Sequence, residues 1–335
     1  MRQFLKKCSG SAVLFPIFSI GALVGLLPLR IWQECLRTDP ATGFWGLLDA
    51  QSGKWGILQF SESRSIPLLY AGLAVLIVFP ALAGFALRKR SVLDLGRRPR
   101  KAESIAAILL GAAMVADAAT AIRFAVKVYL SLKNGQPIAG MDYAVTSSTG
   151  GVLQYYIRTG ALAALLETFA GAAGAAFLLQ LALQDWFPGR KKDPSHLLAL
   201  APLFWVICRI LRRFARTISY VRVPDLLLDL LLLACLMIFF LAFAQLLSGI
   251  EGEGKASRLL GAGIPAAVLG LLCFVPRIVL RLRSGADPLP QDSLIEWCDP
   301  ALTVFITIFL AGRFLSAAPQ SPEPSAEEPK KLTAE

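Results

Sequence analysis

Apolar residues along this chain gather in long blocks instead of being spread among polar ones. Eight blocks can be marked, at 11–31, 66–87, 104–129, 161–184, 196–218, 225–248, 258–281 and 301–316. Several approach the ~20 residues that an α-helix needs to cross a ~30 Å hydrocarbon core. Start signals agree with the blocks: Asp193-Pro194, Pro224-Asp225 and Asp299-Pro300 each open one. Asp suits a helix N-cap and Pro the first helical turn. Ser65 with Pro67, and the KAES run ending at Ser104, open two more. The last block is short, and its 301–316 span rises only about 24 Å. It needs extra turns or a locally thinner bilayer.

This pattern predicts an all-α, polytopic helical membrane bundle of about eight transmembrane helices within residues 1–316. The tail, 317–335, is rich in Pro, Glu and Ser and has the composition of a disordered segment. The first block follows a basic start, as a signal peptide does, but it lacks an A-x-A site and its apolar run is too long. It is read as a retained first helix. Between blocks one and two, Trp45-Gly46-Leu47-Leu48 and Trp55-Gly56-Ile57-Leu58 flank a turn from Asp49 to Gly53. Apolar arms about such a turn predict a short extracytoplasmic β-hairpin. Its tryptophans suit the headgroup belt, and a lid over a cavity is the other reading. The segment 130–160, with TSSTGG at 146–151, reads as a connector.

Charge sets the orientation. Arg2, Lys6 and Lys7 precede the first block, the run RKRSVLDLGRRPRK at 88–101 is half basic, and Arg190-Lys191-Lys192 precedes the fifth. Placed on the cytoplasmic side, these put both termini in the cytoplasm. Helices five, seven and three then end outward with arginines, against the same rule. Arg209, Arg212, Arg213 and Arg216 follow i, i+3, i+4, i+7 spacing, one face of a helix. Arg277, Arg281 and Arg283 close the seventh block, and Arg123 and Lys127 the third.

Composition supports the membrane assignment: of 335 residues, 56% are hydrophobic and 17% charged, against about 25% charged in soluble proteins. The net charge of +11 does not indicate nucleic acid, because most Lys and Arg flank apolar blocks. His196 is the sole histidine, and no Walker A, G-x-G-x-x-G, G-x-S-x-G or metal-ligand spacing occurs. No cofactor is implied. Cys208, Cys235 and Cys273 lie within apolar blocks as small core residues, and Cys35 and Cys298, both placed outside, are a candidate disulfide pair.

Ionisable groups within membrane helices are costly and mark candidate sites. Here they are Asp117 and Arg123 in the third block, Glu167 in the fourth, Asp229 in the sixth, and Arg209, Arg277 and Arg313 in the fifth, seventh and eighth. Blocks three and four carry Gly111, Gly171 and Gly174 among many alanines. Small residues let backbones approach, so these helices pack together and bring Asp117 and Glu167 inward. One reading is internal pairing, in which Asp117, Glu167 and Asp229 neutralise Arg123, Arg209 and Arg277 as structural glue; three carboxylates are still too few for the four arginines of helix five. The surplus suits lipid phosphates or an anionic solute, which guanidinium groups bind bidentately.

The outer segment RTDPATGFW (37–45), the basic 88–101 connection and PLFWVICRI…LLLLACLMIFFLAFAQ (202–245) resemble a family of multi-pass membrane proteins common in clostridia. That resemblance implies a bacterial cytoplasmic membrane and carries over no activity and no site residue.

Three functions compete. The first is an outward-facing basic vestibule, of Arg209, Arg212, Arg216 and Arg277, that binds anionic lipid headgroups or passes a small anionic solute. The second is a sensor or interaction subunit whose 88–101 segment meets a cytoplasmic protein partner. The third is an intramembrane enzyme using Asp117 and Glu167. Orientation is testable directly. In a cysteine-free background, a cysteine at Thr217 is expected to react with an impermeant thiol reagent on intact cells. One at Ser91 is expected to react only after permeabilisation.

Overall fold

The computed structural model describes residues 20–21, 23–31, 67–80, 82, 101–134, 156–157, 159–186, 197–215, 223–248, 255–284 and 298–315. Each of the eight apolar blocks contains a helix. They are α1 (23–31), α2 (Pro67–Pro80), α3 (Lys101–Asn134), α4 (Ala161–Trp186), α5 (Ala201–Ala215), α6 (Val223–Leu247), α7 (Lys255–Ser284) and α8 (Cys298–Leu315).

One part of the expected architecture is corrected. Among the described residues there are helices and no strand, so the helical bundle stands there and the β-hairpin does not. The segment assigned to that hairpin, 45–58, lies outside the described residues, as do Cys35, Arg216 and the tail 317–335. Among the described residues, four helices are long and apolar enough to span: Lys101–Asn134, Ala161–Gln184, Leu227–Leu247 and Ser257–Val279. Pro67–Pro80 and Cys298–Gly312 are apolar but shorter. Helix α5 has 15 residues and is amphipathic, because Arg209, Arg212 and Arg213 occupy its second half. The chain is a multi-pass membrane protein.

Local chemistry accounts for the helix ends. In α3, Glu103 sits in the first turn and Lys133 in the last, each complementing the nearer end of the helix dipole. A turn leads into α4: Gly160, at φ 73°, donates its N–H to the Ile157 carbonyl at 3.1 Å. Its own carbonyl accepts the Ala164 N–H at 3.0 Å, the first bond of α4. A side chain at Gly160 would be strained by the left-handed backbone. In α7, Pro265 and Pro276 lie inside the helix, where each removes a backbone donor. In α8, Thr303 and Thr307 hydroxyls each donate at 2.8 Å to the carbonyl four residues back, Asp299 and Thr303.

The outward faces are apolar. Ile105, Leu109, Val115 and Ile122 on α3, with Leu166 and Phe169 on α4, are about half exposed or more. In water such a surface would be an aggregation liability, whereas lipid tails solvate it. Because lipid is as apolar as the interior, close packing has to hold the helices together. Glycines allow that approach: a Cβ on Gly111 would meet the Ala175 carbonyl at 3.5 Å, and one on Gly171 the Trp205 ring at 3.2 Å. Helices α3 and α4 therefore pack side by side, as the alanine and glycine content predicts. An aromatic cluster ties α4, α6 and α8. Phe243 meets Phe177, Phe305 and Phe309 edge-on at 6.4, 5.9 and 5.1 Å, and stacks on Phe239 at 6.0 Å. Such pairs contribute about 0.5–1.5 kcal/mol each beyond burial.

Helix α8 runs antiparallel to both α3 and α7. Its Cys298 meets Asp117 while its Gly312 lies against Glu103, so it covers the first half of α3. Its Thr303 lies against Gly270 of α7, and its Leu310 against Gly263. A Cβ at Gly270 would collide with the Thr303 side chain. Gly270→Ala is expected to lower stability by about 1–3 kcal/mol through overpacking. Adding Thr303→Ala should restore most of the loss, as read from unfolding in detergent micelles.

Candidate functional site

The site forms where α8 begins against the middle of α3. Four helices contribute: Asp117 from α3, Glu167 from α4, Arg209 and Arg212 from α5, and Cys298 with Asp299 from α8. Asp117, Glu167, Arg209, Arg212 and Asp299 are each 3–8% exposed. Helical periodicity explains the pairing on α5, since residues 209 and 212 lie one turn apart on its buried side.

Arg209 is the centre. Its two terminal nitrogens donate to the two oxygens of Asp299, Nη1 to Oδ1 at 2.6 Å and Nη2 to Oδ2 at 3.1 Å. Its Nε lies 3.7 Å from Glu167 Oε1. The guanidinium carbon stands 5.0 Å from the centroid of the Trp205 ring, a cation–π contact from one turn back on the same helix. Glu167 is shared, its Oε2 lying 2.7 Å from Arg212 Nη1. That contact is a buried ion pair.

Asp117 closes the cluster from the other side. Its Oδ2 accepts the backbone N–H of Cys298 at 3.0 Å, so a carboxylate from α3 caps the first turn of α8. A negative group at a helix N-terminus is favoured by the exposed N–H donors there. The Cys298 thiol fills the gap, 3.8 Å from both Arg209 Nη1 and Asp299 Oδ1. Cys298 is a free, buried thiol here, while Cys35, its candidate disulfide partner, lies outside the described residues.

The candidate residues thus divide. Asp117, Glu167, Arg209 and Arg212 come together. Asp229 is buried on α6, Arg123 is exposed on α3, and Arg277 is half-buried on α7. Arg216 lies outside the described residues. Sequence reasoning missed Asp299, because Asp-Pro before an apolar block reads as a helix cap. A count of buried acids against buried arginines would have found it. Trp205 was likewise legible as the i−4 neighbour of Arg209.

Chemically, the cluster is a charge-dense core inside a low-dielectric bundle. Among the described residues it sets three carboxylates against two guanidiniums. Such a site can hold a proton, exchange ion partners, or fix the register of four helices. Asp117 and Glu167 share it, but each is engaged, one by a backbone N–H and the other by arginines. No family model, curated protein or solved structure matches the chain.

The coupling is measurable. Removing one partner of a buried ion pair leaves an uncompensated charge and costs about 3–5 kcal/mol. Glu167→Gln and Arg212→Gln are each expected to destabilise by that order. The double variant should lose less than the sum, by about 0.5–3 kcal/mol, in a denaturation cycle in micelles.

Proposed function

We propose that this protein resides in a bacterial cytoplasmic membrane, with both termini in the cytoplasm, and passes a small anionic solute together with a proton. One observation carries the reading: three carboxylates and two guanidiniums share one buried cluster midway along a spanning helix. An ionised group without a counter-charge is expensive at that depth, so an anion is best admitted together with a proton. An anion that enters with one proton leaves the formal charge of the cluster unchanged. Guanidinium groups supply its binding. Because Arg209 and Arg212 are buried within the bundle, a solute that enters is favoured over a lipid headgroup at the rim. The basic residues of 88–101 and 190–192 support the cytoplasmic placement of the termini. In sequence, Arg216 follows α5 and Arg277 nears the end of α7, and these supply the approach for an anion.

The test is proton flux driven by an anion gradient. Purified protein in phosphatidylcholine–phosphatidylglycerol vesicles carries a pH-sensitive dye in the lumen. An inward gradient of chloride, inorganic phosphate or lactate is then imposed. At least one anion is expected to acidify the lumen faster than in empty vesicles. Arg209→Lys, which keeps the charge but loses the fork, should slow this at least tenfold. Acidification no faster than in empty vesicles with all three anions overturns the proposal.

A further inference from the structure

We infer that the C-terminal third of α3 carries a binding surface for an anionic phospholipid, with Arg123 and Lys127 holding its headgroup phosphate. This surface is separate from the buried cluster and independent of the passage reading above. The face that α3 turns away from the bundle is apolar from Ile105 through Leu109 and Val115 to Ile122, all exposed. That stretch rises about 26 Å, close to the ~30 Å of a hydrocarbon core. The face then changes character within one turn. Arg123 and Lys127 are both exposed on it, and residues four apart on a helix are neighbours. Exposed Val126, Tyr129 and Leu130 flank them.

Two features put the membrane edge at the same level. Tyr129 is exposed close to Lys127, and Tyr156 packs against the small cluster of Val128 and Ala161. Tyrosine collects at the headgroup level, where its ring meets the tails and its hydroxyl meets water. Helix α4 also begins here, because Ala161, its first residue, shares that cluster with Val128. The turn before it is closed by Thr159 Oγ1 donating to the Tyr156 carbonyl at 3.3 Å and by the Gly160 N–H. Ile157 in that turn is exposed, and exposed irregular backbone belongs outside the hydrocarbon.

Charge decides the occupant. Neither Arg123 nor Lys127 takes part in an ion pair among the described residues. The acids of α3, Glu103 and Asp117, are buried, and Glu167 of the facing helix is held by Arg209 and Arg212. Two like charges one turn apart repel, and an anion between them relieves the repulsion. At headgroup level a lipid phosphate is that anion, and a guanidinium meets it with two N–H donors. The acyl chains of the same molecule lie along Ile122 and Val115, which a free anion cannot cover. A zwitterionic headgroup brings its own cation to the basic pair, so the surface favours a lipid of net negative charge.

Native mass spectrometry of the full chain, released from neutral-detergent micelles, tests this by counting retained lipids. The unmodified protein is expected to retain more phosphatidylglycerol than phosphatidylcholine, and equal retention overturns the proposal. Arg123→Gln combined with Lys127→Gln is expected to lose one retained phosphatidylglycerol, whereas an unchanged count overturns it. Exchanging the pair, Arg123→Lys with Lys127→Arg, keeps both charges and should keep the lipid. If the exchange loses it, charge does not hold the headgroup and the inference fails. Glycerol phosphate, the same anion without chains, is expected not to displace phosphatidylglycerol at equal concentration. Displacement would make this a site for free anions and would reject the lipid.

Discussion

The bundle depends on one requirement: a guanidinium inside a low-dielectric core has to be satisfied on every side. Arg209 meets it with a carboxylate fork at its tip, a second carboxylate at Nε and an indole on its face. Each partner comes from a different place in the chain. Asp299 places the first turn of α8, Glu167 places α4, and Trp205 extends the same face of α5. Asp117 then caps α8 by binding the Cys298 N–H. Three helices meet at this side chain, and Asp117 ties in the fourth. The apolar packing around them adds cohesion but little direction, because lipid competes with every apolar contact.

The aromatic and glycine contacts supply what the polar cluster lacks. Phe239, Phe240, Phe243, Phe305 and Phe309 fill the space between α6 and α8 with rings mostly edge to face. Glycines at 111, 171, 263 and 270 bring neighbouring helices within van der Waals reach. Charge specifies which helices meet, and shape complementarity fixes how closely. The division suits a protein whose partners in the bundle have no hydrophobic force to drive them together.

Much of this was legible before any coordinates. The eight apolar blocks each hold a helix because length and hydropathy dominate helix formation where backbone groups cannot bond to water. The inward turn of Asp117 and Glu167 followed from the small residues beside them. The arginine tally was incomplete because it left out Asp299. The residue looked like a cap in sequence, yet its side chain reaches a helix ninety positions away. Apolar blocks alone did not rank the helices: among the described residues four are long enough to span, and α5 is short because arginines occupy its second half. Arg209 and Arg212 are held by internal carboxylates, Asp299 and Glu167.

That long separation bears on how the protein is made. Asp299 follows Arg209 by 90 residues, which at synthesis rates of about 5–20 residues per second is a delay of roughly 5–20 s. During that interval α5 has emerged with Glu167 already available but its fork unfilled. The fork of Arg209 is therefore filled only once α8 has been made. Short as it is, α8 carries the contact that completes this buried cluster.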